Sequence, residues 1–192
     1  MKKILSLSAF TLAETLLTLV VIGVVATMTI PPLKHHTDEQ KFVAYTQKAF
    51  AEVSNATARL ETKYGEAQFW DSSNLNTVKE YYSSVLDTVP FANTSWNTSL
   101  ITGDDAGTVT YQFKTNNGFT WSINQVSYDS KNIIGITVDV NGQNDPNVEG
   151  IDIHSFYILN DKIEPVSNCT KYVLKINKMP WFNNAMDSCP QS

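Results

Sequence analysis

Arginine is nearly absent from this 192-residue chain: Arg59 stands alone, and lysine supplies the rest of the basic charge. The formal net charge is −5, so charge indicates neither a nucleic-acid partner nor an anionic surface. Cysteine is scarce as well, with only Cys169 and Cys189. Two thiols cannot build a four-ligand zinc site alone. If the C-terminal part leaves the cytoplasm, a disulfide fits them better. Also missing are a nucleophile elbow, a phosphate loop, a paired-histidine zinc motif and a dinucleotide fingerprint. Nothing in the sequence asks for an enzyme, and none is expected.

Charge is missing once more from Thr15 to Leu33, a run of 19 residues. About 20 apolar residues carry a helix across a bilayer core. The stretch Leu16-Leu17-Thr18-Leu19-Val20-Val21-Ile22-Gly23-Val24-Val25-Ala26 is apolar on every side, unlike an amphipathic surface helix. Lys2 and Lys3 place the N-terminus on the cytoplasmic side by the positive-inside bias, with the rest of the chain outside. Glu14 heads the apolar run and does not fit a plain anchor. A lone carboxylate facing lipid costs several kcal/mol, which makes it a functional-site candidate. The alternative is that Glu14 snorkels to the headgroups from near the helix end.

These residues carry a resemblance. Ala9-Phe10-Thr11-Leu12-Ala13-Glu14-Thr15-Leu16-Leu17, followed by Val21-Ile22-Gly23-Val24-Val25-Ala26, resembles the class III signal of type IV prepilins and type II secretion pseudopilins. The resemblance implies cleavage between Ala9 and Phe10 by a prepilin peptidase, methylation of the new Phe10 amine, and Glu14 at the fifth mature position. It further implies an inner-membrane assembly platform and other copies of the chain or related subunits as partners. Ala9 replaces the usual Gly before the cut. An ordinary secretory signal shares the basic start and apolar run, with Val24-Val25-Ala26 as its small-residue site; Glu14 argues against it.

Beyond the span, Pro31-Pro32 is expected to interrupt the helix, and Thr37-Asp38-Glu39-Gln40 reads as a capping box for a fresh start. Phe42, Tyr45, Ala49, Val53, Ala56, Leu60 and Tyr64 recur at spacings of three and four, one apolar face of a helix that Gly65 ends. Leu75 to Val89 suggests a second, shorter helix before Pro90. Residues 91–106 read as loop. The period then changes to two. Strands are expected over Thr108–Phe113, Phe119–Ile123 after an Asn116-Asn117-Gly118 turn, Ile133–Val140, Ser155–Leu159, Lys162–Val166 and Lys171–Ile176.

The fold class is therefore α+β: a long N-terminal helix, half membrane-spanning and half amphipathic, packed on an antiparallel sheet head in a type IV pilin-like layout. Residues 1–9 read as leader and 10–33 as transmembrane and assembly helix. Residues 34–65 read as the amphipathic half of the spine, and 66–192 as the head.

The densest oxygen cluster lies between Val138 and Asp152. Asp139, Asn141, Asp145 and Asp152 offer oxygen ligands suited to calcium, a hard cation, although the spacing is not that of an EF-hand. The alternative is a solvated loop, since Asn-Gly and Asp-Pro make tight turns and Asp and Asn satisfy local amides. The segment from Cys169 to Cys189 resembles the disulfide-bounded C-terminal region of pilins. The expectation is a non-enzymatic, single-pass subunit of the cytoplasmic membrane, N-terminus inside and head outside, that polymerises into an extracellular or periplasmic fibre. It requires no cofactor, with calcium as the one candidate. The competing expectation is an anchored extracytoplasmic binding protein or enzyme that never polymerises.

Overall fold

The structure, a computed structural model, describes residues 11–91, 111–142, 144–159 and 162–182. Contacts divide the chain into two units, residues 1–38 and 39–192, described here in turn.

Helix α1 spans Leu12–Tyr64, and its first part forms the described portion of the first unit. It is long and apolar enough to cross a membrane. The expected interruption at Pro31-Pro32 is absent, because α1 carries both prolines inside it. Proline's fixed φ is close to the helical value, so the pair removes two amide donors and crowds the preceding turn without forbidding it. Thr37 does not cap a new helix either. Its hydroxyl donates to the Leu33 carbonyl at 2.9 Å, the back-bond of a threonine inside a helix.

In the second unit α1 buries Val43, which the spacing does not predict, as well as Phe42, Ala49, Val53, Ala56 and Leu60 on the face that the spacing predicts. Thr46 and Thr57 share it, fully enclosed. Their hydroxyls donate to the carbonyls of Phe42 and Val53, which leaves each oxygen as an acceptor within the core. Tyr64, expected on the same stripe, is half exposed and stacks on Tyr81 with ring centroids 3.9 Å apart. Gly65 stops the helix in the left-handed region at φ 85°, where a Cβ is disfavoured.

A short 3-10 turn, Ala67–Phe69, leads to α2, Leu75–Val85, with Asn74 as N-cap. This helix ends before the expected Val89, which instead joins β1, Thr88–Val89. Five longer strands follow: β2 Tyr111–Thr115, β3 Thr120–Tyr128, β4 Lys131–Asp139, β5 Ile153–Leu159 and β6 Lys162–Pro165. They form one six-stranded antiparallel sheet in the order β1-β2-β3-β4-β5-β6. Residues 108–110 of the first expected strand lie outside the described residues. β3 and β4 run further than expected because Asp129 and Ser130 both adopt positive φ, 50° and 61°, the geometry of a tight hairpin turn. Gly135 is needed where these strands meet: a Cβ there would stand 2.7 Å from Val126 Cγ2.

Cross-strand register sorts the two faces of the sheet. Phe113, Trp121, Val138 and His154 oppose one another in one row, and Tyr111, Ile123, Ile136 and Phe156 in the next. Directly opposed residues share a face, and α1 meets this one through Tyr45 on Phe119 and Phe50 on Phe156, with centroids 5.6 and 5.8 Å apart. The intervening rows are polar: Gln112, Ser122, Thr137 and Ser155, then Lys114, Thr120 and Asp139, ending at Ile153.

The last strand expected, Lys171–Ile176, is instead part of helix α3, Asn168–Ile176. Its β-branched and aromatic residues favour a strand in isolation. Three local features override them. Ser167 accepts from the Thr170 amide as N-cap, Cys169, Thr170 and Val173 turn to one buried side, and Asn177 closes the helix in the left-handed region.

Candidate functional site

The first candidate site is the N-terminal end of α1. Ala9 and Phe10 lie outside the described residues. Glu14 is described, and it closes a capping box with Thr11. Its Oε2 accepts from the Thr11 amide at 2.8 Å and the Thr11 hydroxyl at 2.9 Å, while the Glu14 amide donates to the Thr11 hydroxyl at 3.3 Å. The pattern Thr-x-x-Glu before an apolar run announces such a box, and it forms at Thr11 rather than at the expected Thr37. An acid in the first turn also meets the positive end of the helix dipole. Beyond it, the large apolar side chains from Leu12 to Leu33 face outward, and Val24, the most covered, is still 53% exposed. A water-exposed surface of this length and apolarity marks a surface built for lipid or for other protein.

The second candidate is the loop joining β4 to β5. Of its four expected ligands, the structure brings three together. Asp139 and Asp152 are both fully enclosed. Asp139 Oδ1 accepts from the Asn141 amide at 3.0 Å. Asp152 takes the Val148 amide on Oδ1 at 2.7 Å and the Asn147 amide on Oδ2 at 2.8 Å. The Val140 amide donates to the Asp152 backbone carbonyl at 2.9 Å, drawing the two ends of the loop together. Asp145 does not join. It is exposed, and its backbone carbonyl accepts from Asn141 Nδ2 at 3.0 Å. Among the described residues no three Asp, Glu, His or Cys side chains converge as a metal cluster.

Burial dominates the electrostatics of this loop. It pushes the Asp139 carboxyl up to about 7; the Asn141 amide opposes the rise and the neighbouring Asp152 charge adds to it. Asp152 is likewise raised by burial, against the Val148 and Asn147 amides. Glu149 is raised by burial alone. The loop is roofed by Trp181, whose indole N–H donates to the Gly150 carbonyl at 3.1 Å.

His154, which reads as an isolated histidine in the sequence, lies at the centre of a buried network. Its Nε2 is 2.7 Å from Thr46 Oγ1 and 3.2 Å from the Ile151 carbonyl, and its Nδ1 is 3.0 Å from Thr170 Oγ1. Because Thr46 gives its hydrogen to Phe42, Nε2 is the protonated nitrogen and Nδ1 accepts from Thr170. Burial pushes the imidazole down to about 4, so it is neutral and structural. Alternation along Ile151-Asp152-Ile153-His154 sets His154 on the face opposite the isoleucines, and only its pairing with Val138 across the sheet places it in the apolar row. Cys169, buried on α3, is disulfide-bonded; Cys189, the chain's other cysteine, lies outside the described residues.

No protein-family model, curated protein or solved structure matches this chain.

Proposed function

We propose that this chain is a pilin-like structural subunit, inserted through one membrane-spanning helix, cut after Ala9, methylated at Phe10 and polymerised into a pilus or pseudopilus fibre. One observation carries the reading. An exposed apolar helix segment, headed by the acid Glu14, runs on in α1 into an α+β unit that has a hydrophobic core of its own among the described residues. The domain's core does not draw on these residues, whereas a fibre needs such a helix from every subunit. Apolar side chains from Leu16 to Ile30 would supply the cohesion and Glu14 the register.

Cleavage supplies the partner that Glu14 needs. Hydrolysis of the Ala9–Phe10 bond frees an amine, and methylation leaves it protonatable. In a fibre, Glu14 of one subunit meets the Phe10 amine of its neighbour, a head-to-tail contact that generates open filaments rather than closed rings. The pair adds little net stability, because both charges are desolvated, but breaking it by removing one partner is costly. A specific observation favours a second reading, an anchored extracytoplasmic protein that does not assemble: Thr11 already satisfies Glu14 within one chain. Mass analysis of the native N-terminus tests the processing step. A mature chain beginning at methylated Phe10 is expected, and one beginning at Thr27 would move the protein to the secreted class.

A further inference from the structure

Among the described residues of the second unit, the two most exposed large apolar side chains are Phe69 at 78% and Tyr128 at 46%. Both line one cavity of about 420 Å³, within the usual range for a ligand pocket. It lies between the 3-10 turn Ala67–Phe69 and the β3–β4 hairpin. The pairing of β4 with β5 stops at Gly135 and Tyr157. One residue further along, Ile134 and Ile158 line the cavity from the two strands. With Trp70, also on the lining, they are 9% exposed or less. An apolar knob entering here would therefore cover little that is not covered already. The apolar area still open to a ligand is the two exposed rings.

Polar groups stand beside those rings. Asp129, Lys131 and Asn132 line the same cavity and are exposed. None of the three makes a side-chain hydrogen bond or ion pair to a described residue, so each keeps its donors or acceptors for a ligand. One carboxylate and one ammonium leave this rim without net charge. The surroundings are braced. The Trp70 indole N–H donates to the Gly65 carbonyl at 2.9 Å, and Gln125 Nε2 donates to the Ser72 carbonyl at 3.0 Å. Tyr128 meets Tyr157 edge-on with ring centroids 5.7 Å apart. A pocket held in shape before binding loses little to ordering.

We propose that this cavity binds a neutral hexose glycan. A pyranose ring has an apolar C–H face and an edge of hydroxyls, and the cavity sets aromatic rings beside unpaired polar groups in the same way. The C–H face lies on Phe69 and Tyr128. Asp129 accepts from neighbouring hydroxyls, Lys131 donates to them, and Asn132 does both. A phosphorylated or sulfated ligand would need more cationic donors than the single lysine. The site would serve an assembling subunit and an anchored protein alike.

The test uses the full chain, unassembled in micelles of an amine-oxide detergent that carries no sugar, so its outcome is independent of the fibre reading. Saturation-transfer NMR is run with the methyl glycosides of galactose, glucose and mannose. At least one should receive saturation on its ring C–H protons, with a Kd on the order of 1 mM for a ligand of this size. Phe69→Ala alters an exposed side chain, so it should fold and yet bind about tenfold more weakly. Asn132→Ala should weaken binding as well, and Ile176→Ala, exposed on α3, should not. No transfer to any glycoside at about 20 mM, roughly twentyfold above that Kd, would overturn the assignment. Equal binding by Phe69→Ala would overturn it too. Transfer to N-acetyl-phenylalaninamide but to none of the glycosides would give the cavity to a protein partner instead.

Discussion

Thr46 on α1 and His154 on β5 meet across 108 residues of sequence, with the imidazole Nε2 2.7 Å from the hydroxyl oxygen. Their hydrogen bond lies inside an otherwise apolar row of the sheet. It fixes α1 against β5 at one register, because sliding the helix by a turn would leave the Thr46 oxygen buried without a donor and Nε2–H with only the longer contact to the Ile151 carbonyl.

That contact should be measurable as a coupling. Thr46→Val and His154→Phe should each lower stability by about 1–3 kcal/mol, through loss of the bond and exposure of a buried polar partner. The double variant should fall short of the sum by about 1 kcal/mol, the usual size for residues in direct contact. Urea unfolding of the four proteins gives the cycle. Simple additivity would mean that the pair makes no specific contribution.

Glu14 separates the two functional readings. Glu14→Ala loses the capping box, a local cost of about 0.5–2 kcal/mol, which an apolar membrane helix tolerates. The variant should therefore be inserted and processed normally but fail to enter fibres, and Glu14→Asp should be partly active. Electron microscopy of cells carrying the variant as the sole copy decides the matter. Fibres of normal number and length with Glu14→Ala would leave the capping box as the whole role of the acid.

Alkaline stability should report on Tyr82. Its phenol is fully buried and bonded to Thr57 Oγ1 at 2.6 Å. Burial raises it above the ordinary tyrosine range, and the Glu61 charge adds to the rise. The unfolded chain therefore ionises this tyrosine above about pH 10 while the folded chain does not, so the unfolded state binds fewer protons and stability falls as pH rises. Tyr82→Phe should cost about 1 kcal/mol at neutral pH and flatten the decline above about pH 10. Unfolding midpoints across that range would show it. An unchanged slope would place the alkaline sensitivity elsewhere.

Reduction should loosen the C-terminal region. A bridge closing a loop of roughly 20 residues is worth about 3 kcal/mol in the chain-entropy model. Cys169→Ser, or reduction of the exported protein, should lower the melting temperature by roughly 6 to 12 °C. A melting temperature indifferent to reductant would show that the bridge contributes nothing to stability.

Much of this architecture is legible in the residues. The apolar run from Thr15, the stripe from Phe42 to Leu60 and the Asn116-Asn117-Gly118 turn all declare their period or their punctuation. The misreadings have physical causes. Pro31 and Pro32 look like a break because proline lacks a donor, yet its φ suits a helix and α1 continues through them. Lys171–Ile176 looks like a strand because Tyr, Val and Ile favour one, but Ser167 caps a helix and the burial of Cys169, Thr170 and Val173 supplies a helical face. In the oxygen-rich loop, spacing alone could not tell that Asp145 faces solvent while Asp139 and Asp152 are enclosed. Burial is set by the β4–β5 register, which no local pattern reveals.

The strand order has a temporal side. Every strand of the sheet bonds to its immediate neighbour in sequence, so β2 to β6 can assemble hairpin by hairpin, the longest closure being the β4–β5 loop between Asp139 and Ile153. The helix that packs on them enjoys no such economy. Phe42 to Leu60 precede the strands in the chain, and Phe50 and Thr46 meet Phe156 and His154 only once β5 exists. The domain thus combines a low-contact-order sheet with one high-contact-order docking event, and such long-range closures are the slow ones. Refolding followed by pulsed hydrogen exchange should protect the β3 and β4 amides first. The apolar face of α1 would be the last surface to disappear from water, and so the one most open to capture by another chain during synthesis.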